Sequence, residues 1–322
     1  MRAVQIVSLT GPDAVETGEV RDPAPRPRDV LIEVHAAGIT YPDVLKTHGR
    51  YQLAPELPYV PGSQLSGTVR SAPDDSPFET GQRVCGFAMN GAFAELAAID
   101  STHVFPLEDS LSWETGAAAL TNYLTAHFVL TLRARLAPGE TVLVHGAAGG
   151  VGLASIQLAR ALGAQVIAVV SSPDKATAAL EAGAFEAVPV DGFSAAAREL
   201  TDGRGVDVIV DPVGGDRFTD SLRALATGGR LAVVGFVGGD IPTVKVNRLL
   251  LTNTEVVGAA WGEYALGHPG YAQQQWQELS PRFVSTELAP RIAEVLPLQR
   301  AADGLRLLAN REVIGNVVLT LR

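Results

Sequence analysis

The chain has 322 residues, 47% of them hydrophobic and 19% charged, enough apolar material for two packed domains and too much for a disordered chain. A formal net charge of −10 argues against broad binding to nucleic acid or to an anionic membrane surface. The single cysteine, Cys85, excludes an internal disulfide framework and any multi-cysteine zinc site.

Met1-Arg2-Ala3-Val4-Gln5-Ile6 enters directly into a strand-like alternation, with no apolar leader before it. No apolar run reaches membrane-spanning length, so the expectation is a soluble cytoplasmic protein without membrane or nucleic-acid partners. Up to about residue 120 the texture is β-rich, with strand pieces at 30–36, 67–69, 83–87 and 92–99 and frequent Gly and Pro between them. Residues 113–132 turn helical. From 141 onward strands and helices alternate, with strands at 141–145, 165–170, 187–190, 206–210, 230–235 and 254–259. Helical patterns lie near 151–162, 173–182, 194–201 and 216–226, which predicts a doubly wound parallel sheet. A helix at 273–279 follows, then mixed structure at 291–295, a helix at 298–310 and a strand at 315–320. The α/β fold expected is therefore a β-rich domain from 1–122 and 285–322, with a nucleotide domain from 123–284 inserted in it.

The run His145-Gly146-Ala147-Ala148-Gly149-Gly150-Val151-Gly152 joins the strand-like Thr141-Val142-Leu143-Val144 to a helical pattern. Strand, glycine-rich turn and helix is the context that makes such a motif a dinucleotide site, because a helix N-terminus offers free N–H groups to a pyrophosphate. Gly149 lets the backbone approach the phosphates and Gly152 lets the helix pack on the strand. A strand–helix turn also uses glycines for structure alone. His145, just before them, reads as a packed strand-end residue.

The next strand ends Ser171-Ser172-Pro173-Asp174-Lys175 rather than on the carboxylate that binds the ribose hydroxyls of NAD. Two hydroxyls and the Lys175 ammonium suit a 2′-phosphate, so NADPH is the expected cofactor. The alternative is an ordinary N-cap at Ser172 with a solvated lysine. Asp211-Pro212-Val213-Gly214-Gly215 and Gly235-Phe236-Val237-Gly238-Gly239 follow the fourth and fifth strands, where ligands bind in open α/β sheets. Val213 and Gly214 are expected along the adenosine, Phe236 and Val237 along the nicotinamide.

This arrangement resembles the medium-chain dehydrogenase/reductase superfamily, and within it the zinc-independent quinone oxidoreductase branch related to zeta-crystallin. Asp29-Val30-Leu31-Ile32-Glu33-Val34 resembles that family's DVLVKV strand, and Gly38-Ile39-Thr40-Tyr41-Pro42-Asp43 its GVNxxD turn. Leu57-Pro58-Tyr59-Val60-Pro61-Gly62-Ser63 resembles LPFxPGSE, Gly81-Gln82-Arg83-Val84 matches GDRV, and Gly315-Asn316-Val317-Val318-Leu319 resembles GKVVL. Thr40 replaces the family's Asn, Gln64 its acidic residue and Asn316 its Lys. The resemblance implies a GroES-like catalytic domain, a Rossmann domain, and a homodimer joined through the strand at 254–259. Thr125 matches a helix whose hydroxyls face the cofactor, and Asn316 stands at a cofactor-side position of the terminal strand. Helix-interior Thr also bonds back to its own helix.

Zinc alcohol dehydrogenases of this fold carry Cys near Thr40 and Gly-His-Glu where Gly62-Ser63-Gln64 stands, so the chain is expected to be metal-free. Without that Lewis acid a high-pKa alkoxide is hard to form, whereas a quinone or enone yields a delocalised anion that hydrogen-bond donors can stabilise. Tyr51, matching the family's G-x-Y tyrosine, is the implied proton donor, with Tyr41 and Thr40 beside it. Ordinary packing is the alternative for both tyrosines, and Asp43 reads as holding a turn. The expected activity is NADPH-dependent reduction of a small quinone or related activated acceptor. The rivals are an enone or 2-enoyl thioester reductase of the same fold and a non-catalytic, crystallin-like NADPH binder.

Overall fold

A computed structural model describes residues 1–52 and 55–321. The chain divides into two units, Met1–Thr121 with Pro269–Arg322, and Asn122–His268.

The first unit is built on a seven-stranded sheet. Its path runs Ile292–Pro297, Asn316–Thr320, Asp29–Ile39, Gln64–Ser71, Arg83–Phe87, Val104–Pro106, with Leu96–Asp100 also paired to Asp29–Ile39. Only the Ile292–Pro297 pairing with Asn316–Thr320 is parallel. Alternation along Asp29–Ile39 turns Val30, Ile32 and Val34 inward, where they meet Leu65, Val84, Phe93, Val317 and Leu319 in one core. Gly67 stands where the register shifts between Val34 and Ala36, and a Cβ there would lie 2.1 Å from the Glu33 carbonyl oxygen. This is the GroES-like β-rich half that the sequence predicts.

The segment read as a turn at 38–43 continues into a helix, Tyr41–Thr47. Thr40 and Asp43 form its capping box and Pro42 lies in its first turn, so local caps rather than a hydrophobic period define these seven residues.

The chain returns to the first unit at Pro269, earlier than the expected 285. The helix Tyr271–Val284 explains the difference. Ala272, Gln275, Trp276, Leu279 and Phe283 form its buried face, and Trp276 Nε1 donates to the Pro106 carbonyl at 2.9 Å. That face packs on the first unit's own strand ends, with the rings of Phe105 and Trp276 5.9 Å apart.

The second unit holds a six-stranded sheet, parallel throughout, in the order Glu186–Pro189, Gln165–Val170, Thr141–Val144, Val206–Asp211, Leu225–Val233, Glu255–Gly258. Numbered along the chain, that order is 3-2-1-4-5-6, the doubly wound Rossmann arrangement. Covered on both faces, its inner strands carry continuous apolar runs such as Val142-Leu143-Val144 and Val166-Ile167-Ala168-Val169. The crossover helices Gly150–Ala161, Pro173–Glu181, Phe193–Glu199 and Phe218–Ala224 lie close to where the pattern puts them.

Helix Trp113–His127 runs on into a π-helical stretch, Phe128–Arg133, in which the Ala134 N–H reaches back to the Val129 carbonyl. Buried Arg230 closes that end by donating to the carbonyls of Ala134 and Arg135. Its guanidinium also pairs with Glu140 at 2.8 Å and holds that carboxyl below the usual carboxylate range.

Candidate active site

Within the second unit, three loops meet at the carboxyl ends of the parallel strands, where the strand order reverses between Thr141–Val144 and Val206–Asp211. The loop after the fifth strand is tied to the loop after the fourth. The Val237 N–H donates to the Pro212 carbonyl, Gly238 N–H to Val213 and Gly215 N–H to Asp240. Gly214 adopts φ +65, and a Cβ on it would lie 2.9 Å from the Phe236 ring. Val213, Gly214, Phe236 and Val237 are thus brought together as one rim. Val213 also borders the glycine turn, because a Cβ on Gly146 would lie 3.2 Å from its Cγ2.

In that turn Ala147 and Ala148 point inward while Gly149 is exposed. The helix Gly150–Ala161 starts at Gly149 without a side-chain cap. Its first amides, on Gly150, Val151 and Gly152, precede the first intrahelical acceptor, and Leu153 N–H is the first to find one, on Gly149. A Cβ at Gly152 would sit 2.3 Å from the Gly146 carbonyl oxygen, so the helix can pack on the turn only through glycine. Among the described residues a Cβ built on Gly149 would meet only Gly146 O, at 3.4 Å, which leaves the space beside the amide end open. Uncapped donors at the positive end of a helix dipole fit a pyrophosphate.

At the tip of the second strand, Ser172 serves as N-cap of Pro173–Glu181 and accepts from Lys175 N–H at 3.4 Å. The Lys175 ammonium instead turns to Ser171, whose hydroxyl it meets at 3.2 Å on the exposed side. Ser171 and Lys175 form a cationic, hydroxyl-bearing tip that fits a phosphate ester. Asp174 is exposed in the first helical turn.

Behind the loops Asp211 is fully buried. Its Oδ1 accepts from Val213 and Gly214 N–H, each at 2.9 Å, which shapes the rim, and burial pushes its carboxyl up. His145 is also fully buried, edge-on to Phe193 and 2.8 Å from the Ser221 hydroxyl. Burial lowers its imidazole to about 3, so it stays neutral at physiological pH. Thr125 is buried on the helix Trp113–His127. Its neighbour Tyr123 donates to Gln157 at 2.8 Å.

The first unit holds the other candidates. Thr40 Oγ1 donates to Asp43 Oδ2 at 2.7 Å and lies 3.2 Å from the Ser63 hydroxyl. Lys46, also buried, pairs with Asp43 Oδ1 at 3.1 Å and donates to the Met89 carbonyl at 2.6 Å. The same ammonium stands 5.5 Å from the ring centroid of half-buried Tyr51, a cation–π contact. Tyr41, at the start of helix Tyr41–Thr47, lies against the β-rich core. Gln64 is buried and accepts from Thr121 N–H at 2.9 Å. Asn316 is buried too, its Nδ2 on the Arg291 carbonyl at 3.0 Å. Cys85 is fully buried, and burial pushes its thiol up, away from the thiolate a metal or nucleophilic role needs.

Ser63, Lys46 and the anchoring role of Asp211 went unread in the sequence. The Asx-type signal in Asp211-Pro212-Val213-Gly214 was available for the last. Lys46 gave no local signal, since its partner became apparent only with the helix that sets Asp43 three residues before it.

Two sequence-family descriptions match the chain: "Alcohol dehydrogenase GroES-like domain" over residues 26–109 and "Zinc-binding dehydrogenase" over residues 150–285. Among the described residues no group of three or more His, Cys, Asp or Glu side chains is placed to hold a metal ion. The quinone oxidoreductase-like protein 2 of Bos taurus is 36% identical, over 100% of this chain and 93% of its own length. A probable oxidoreductase from Mycobacterium abscessus superposes with a TM-score of 0.91 at 39% identity, covering 100% of this chain and 99% of its own. The quinone oxidoreductase of Thermus thermophilus, solved also in complex with NADPH, superposes with a TM-score of 0.88 at 32% identity over the full length of both chains.

Proposed function

The chain belongs to the medium-chain dehydrogenase/reductase family, among its quinone oxidoreductases, and on that premise we propose that this oxidoreductase uses NADPH, without zinc, to reduce quinones or related activated carbonyl and alkene acceptors. The observation that carries the cofactor reading is the pairing of an uncapped helix start at Gly150 with a carboxylate-free strand tip where Lys175 meets Ser171. Ala148, Gly149, Gly150, Val151 and Gly152 are assigned to the pyrophosphate, and Ser171, Ser172 and Lys175 to the 2′-phosphate. Val213, Gly214, Phe236 and Val237 form the rim along the nucleotide, with Thr125 and Asn316 assigned as further contacts. That the Thermus thermophilus relative was solved in complex with NADPH supports the choice of cofactor.

Zinc independence rests on donor chemistry. Thr40 and Ser63 present hydroxyls, 3.2 Å apart, where a zinc site of this fold needs thiolate and imidazole, and the one cysteine is buried elsewhere in the sheet. When bound, NADPH supplies the hydride. The protein's part is then to orient the acceptor and deliver one proton or hydrogen bond to an oxygen whose charge is already spread over a conjugated system. Tyr51 is assigned as that donor, with the Lys46 ammonium against its ring fixing its place. Tyr41 and Thr40 are assigned to the same side of the chemistry. The reading also includes a cytoplasmic setting, a small-molecule substrate and a homodimer joined at the strand Glu255–Gly258. No helix among the described residues is long and apolar enough to cross a membrane.

Lys175→Ala tests the cofactor assignment. Loss of a charge-assisted contact to the 2′-phosphate should raise KM for NADPH about tenfold or more and leave KM for NADH unchanged. An unchanged KM for NADPH would remove Lys175 from the site.

A further inference from the structure

Within the first unit, helix Tyr271–Val284 and the segment around Val104–Pro106 border an open groove of about 690 Å³. Gln273, Trp276, Gln277, Ser280 and Val284 line it from one stripe of the helix. Phe78, Val104 and Phe105 line it from the β-rich side. Ser280 is the small residue between Trp276 and Val284, and it leaves the room. Trp276 gives its only N–H to the Pro106 carbonyl, so its ring meets the groove as apolar, π-rich surface. Val284 is 45% exposed, an apolar side chain left to water at the groove. The volume is that of a small-molecule site, about 300–1,000 Å³.

The polar groups of the lining select by charge. The Gln273 amide gives its N–H to the Thr102 carbonyl, which can only accept. The amide oxygen is therefore the atom left over, and it has no partner among the described residues. Pro281, inside the helix, has no N–H to return to the Gln277 carbonyl. Glu108, the one ionisable side chain of the lining, is exposed and pairs with no cation among the described residues. No Lys, Arg or His stands among the described lining residues. An anion would meet a carboxylate here, in the field of a chain of net charge −10, and find nothing to pair with. An ammonium brings donors alone, which is what these oxygens lack. We propose that this groove is a second ligand site, for a small aromatic molecule carrying one protonated amine. Its ring lies against Trp276 and Phe78, and its ammonium turns to Glu108. The site goes beyond the reductase reading and shares no residue with the nucleotide and acceptor assignments.

Calorimetric titration of the full-length chain with 1-naphthylmethylamine, 1-naphthylmethanol and 1-naphthoate, with and without NADPH, tests this. The three probes share one ring system and differ in charge. The amine should bind about fivefold tighter than the alcohol, and the naphthoate more weakly than either. Glu108→Gln should lower the amine to the affinity of the alcohol and leave the alcohol unchanged. Ser280→Trp, which fills the groove, should abolish binding of both. Should that variant fail to fold, Glu108→Gln, at an exposed position, carries the test. NADPH should displace neither probe. Equal affinities for amine and alcohol would overturn the proposal. So would an amine affinity that survives Glu108→Gln or a folded Ser280→Trp, or displacement of the amine by NADPH. An amine affinity that falls as the chain concentration rises would give the groove to a second copy of the chain, and would overturn it too.

Discussion

A histidine enclosed at a strand end beside Phe193 must stay neutral, and that makes the fold sensitive to acid. His145 titrates near 3 in the folded chain against an ordinary value of 6.5. Between those limits the unfolded chain takes up a proton there that the folded chain refuses. Stability from this group is complete above about 6.5 and falls with falling pH, by about 1.4 kcal/mol per pH unit. His145→Gln should remove one proton's worth of that slope, read as unfolding free energy by urea between pH 6.5 and 4.5. Identical slopes in the two proteins would mean that His145 is not held neutral. Its neighbours in the turn are constrained differently. Gly152 is fixed by a carbonyl 2.3 Å from where its Cβ would stand, whereas a Cβ at Gly149 would meet Gly146 O at an ordinary 3.4 Å.

At the scale of elements, the last strand of the parallel sheet, Glu255–Gly258, pairs among the described residues on one side only, with Leu225–Val233. In the same unit Ile241, Val246, Leu250 and Leu251 are each 72–77% exposed, an apolar set that an isolated chain would leave to water. Sedimentation at micromolar concentration should show a dimer, and Leu250→Asp with Leu251→Asp should shift it toward the monomer. A monomeric unsubstituted chain would contradict the pairing. The parallel strands were legible in the sequence because burial on both faces writes unbroken apolar runs such as Val166 to Val169, and Gly149-Gly150-Val151-Gly152 marked the helix start between two of them. The helix Tyr41–Thr47 was not, since its caps rather than a hydrophobic period define it, and Asn247–Thr252 buries no residue and so shows no inward face. The boundary at Pro269 was hidden for another reason: the face of Tyr271–Val284 is apolar whichever unit it packs on, and only the partner Pro106 decides. The Ser63–Thr40–Asp43–Lys46 chain was illegible because Ser63 joins it from a loop twenty-three positions away.

In the whole molecule, the work divides between the two units. On the proposed reading, the parallel-sheet unit offers an uncapped helix start and the Ser171–Lys175 tip to the nucleotide, and the β-rich unit offers Tyr51 to the acceptor. The central claim is a reductase that takes its hydride from NADPH and gives it to a quinone. Oxidation of NADPH and of NADH by the purified chain, followed with a para-quinone, phenanthrenequinone, an enone and crotonyl-CoA in turn, tests that claim most directly. Turnover with NADPH over NADH and with the quinones is the predicted result. Turnover only with the enone or the thioester would move the activity to alkene reduction, a preference for NADH would contradict the reading of Ser171 and Lys175, and NADPH binding without turnover on any acceptor would contradict the claim of catalysis.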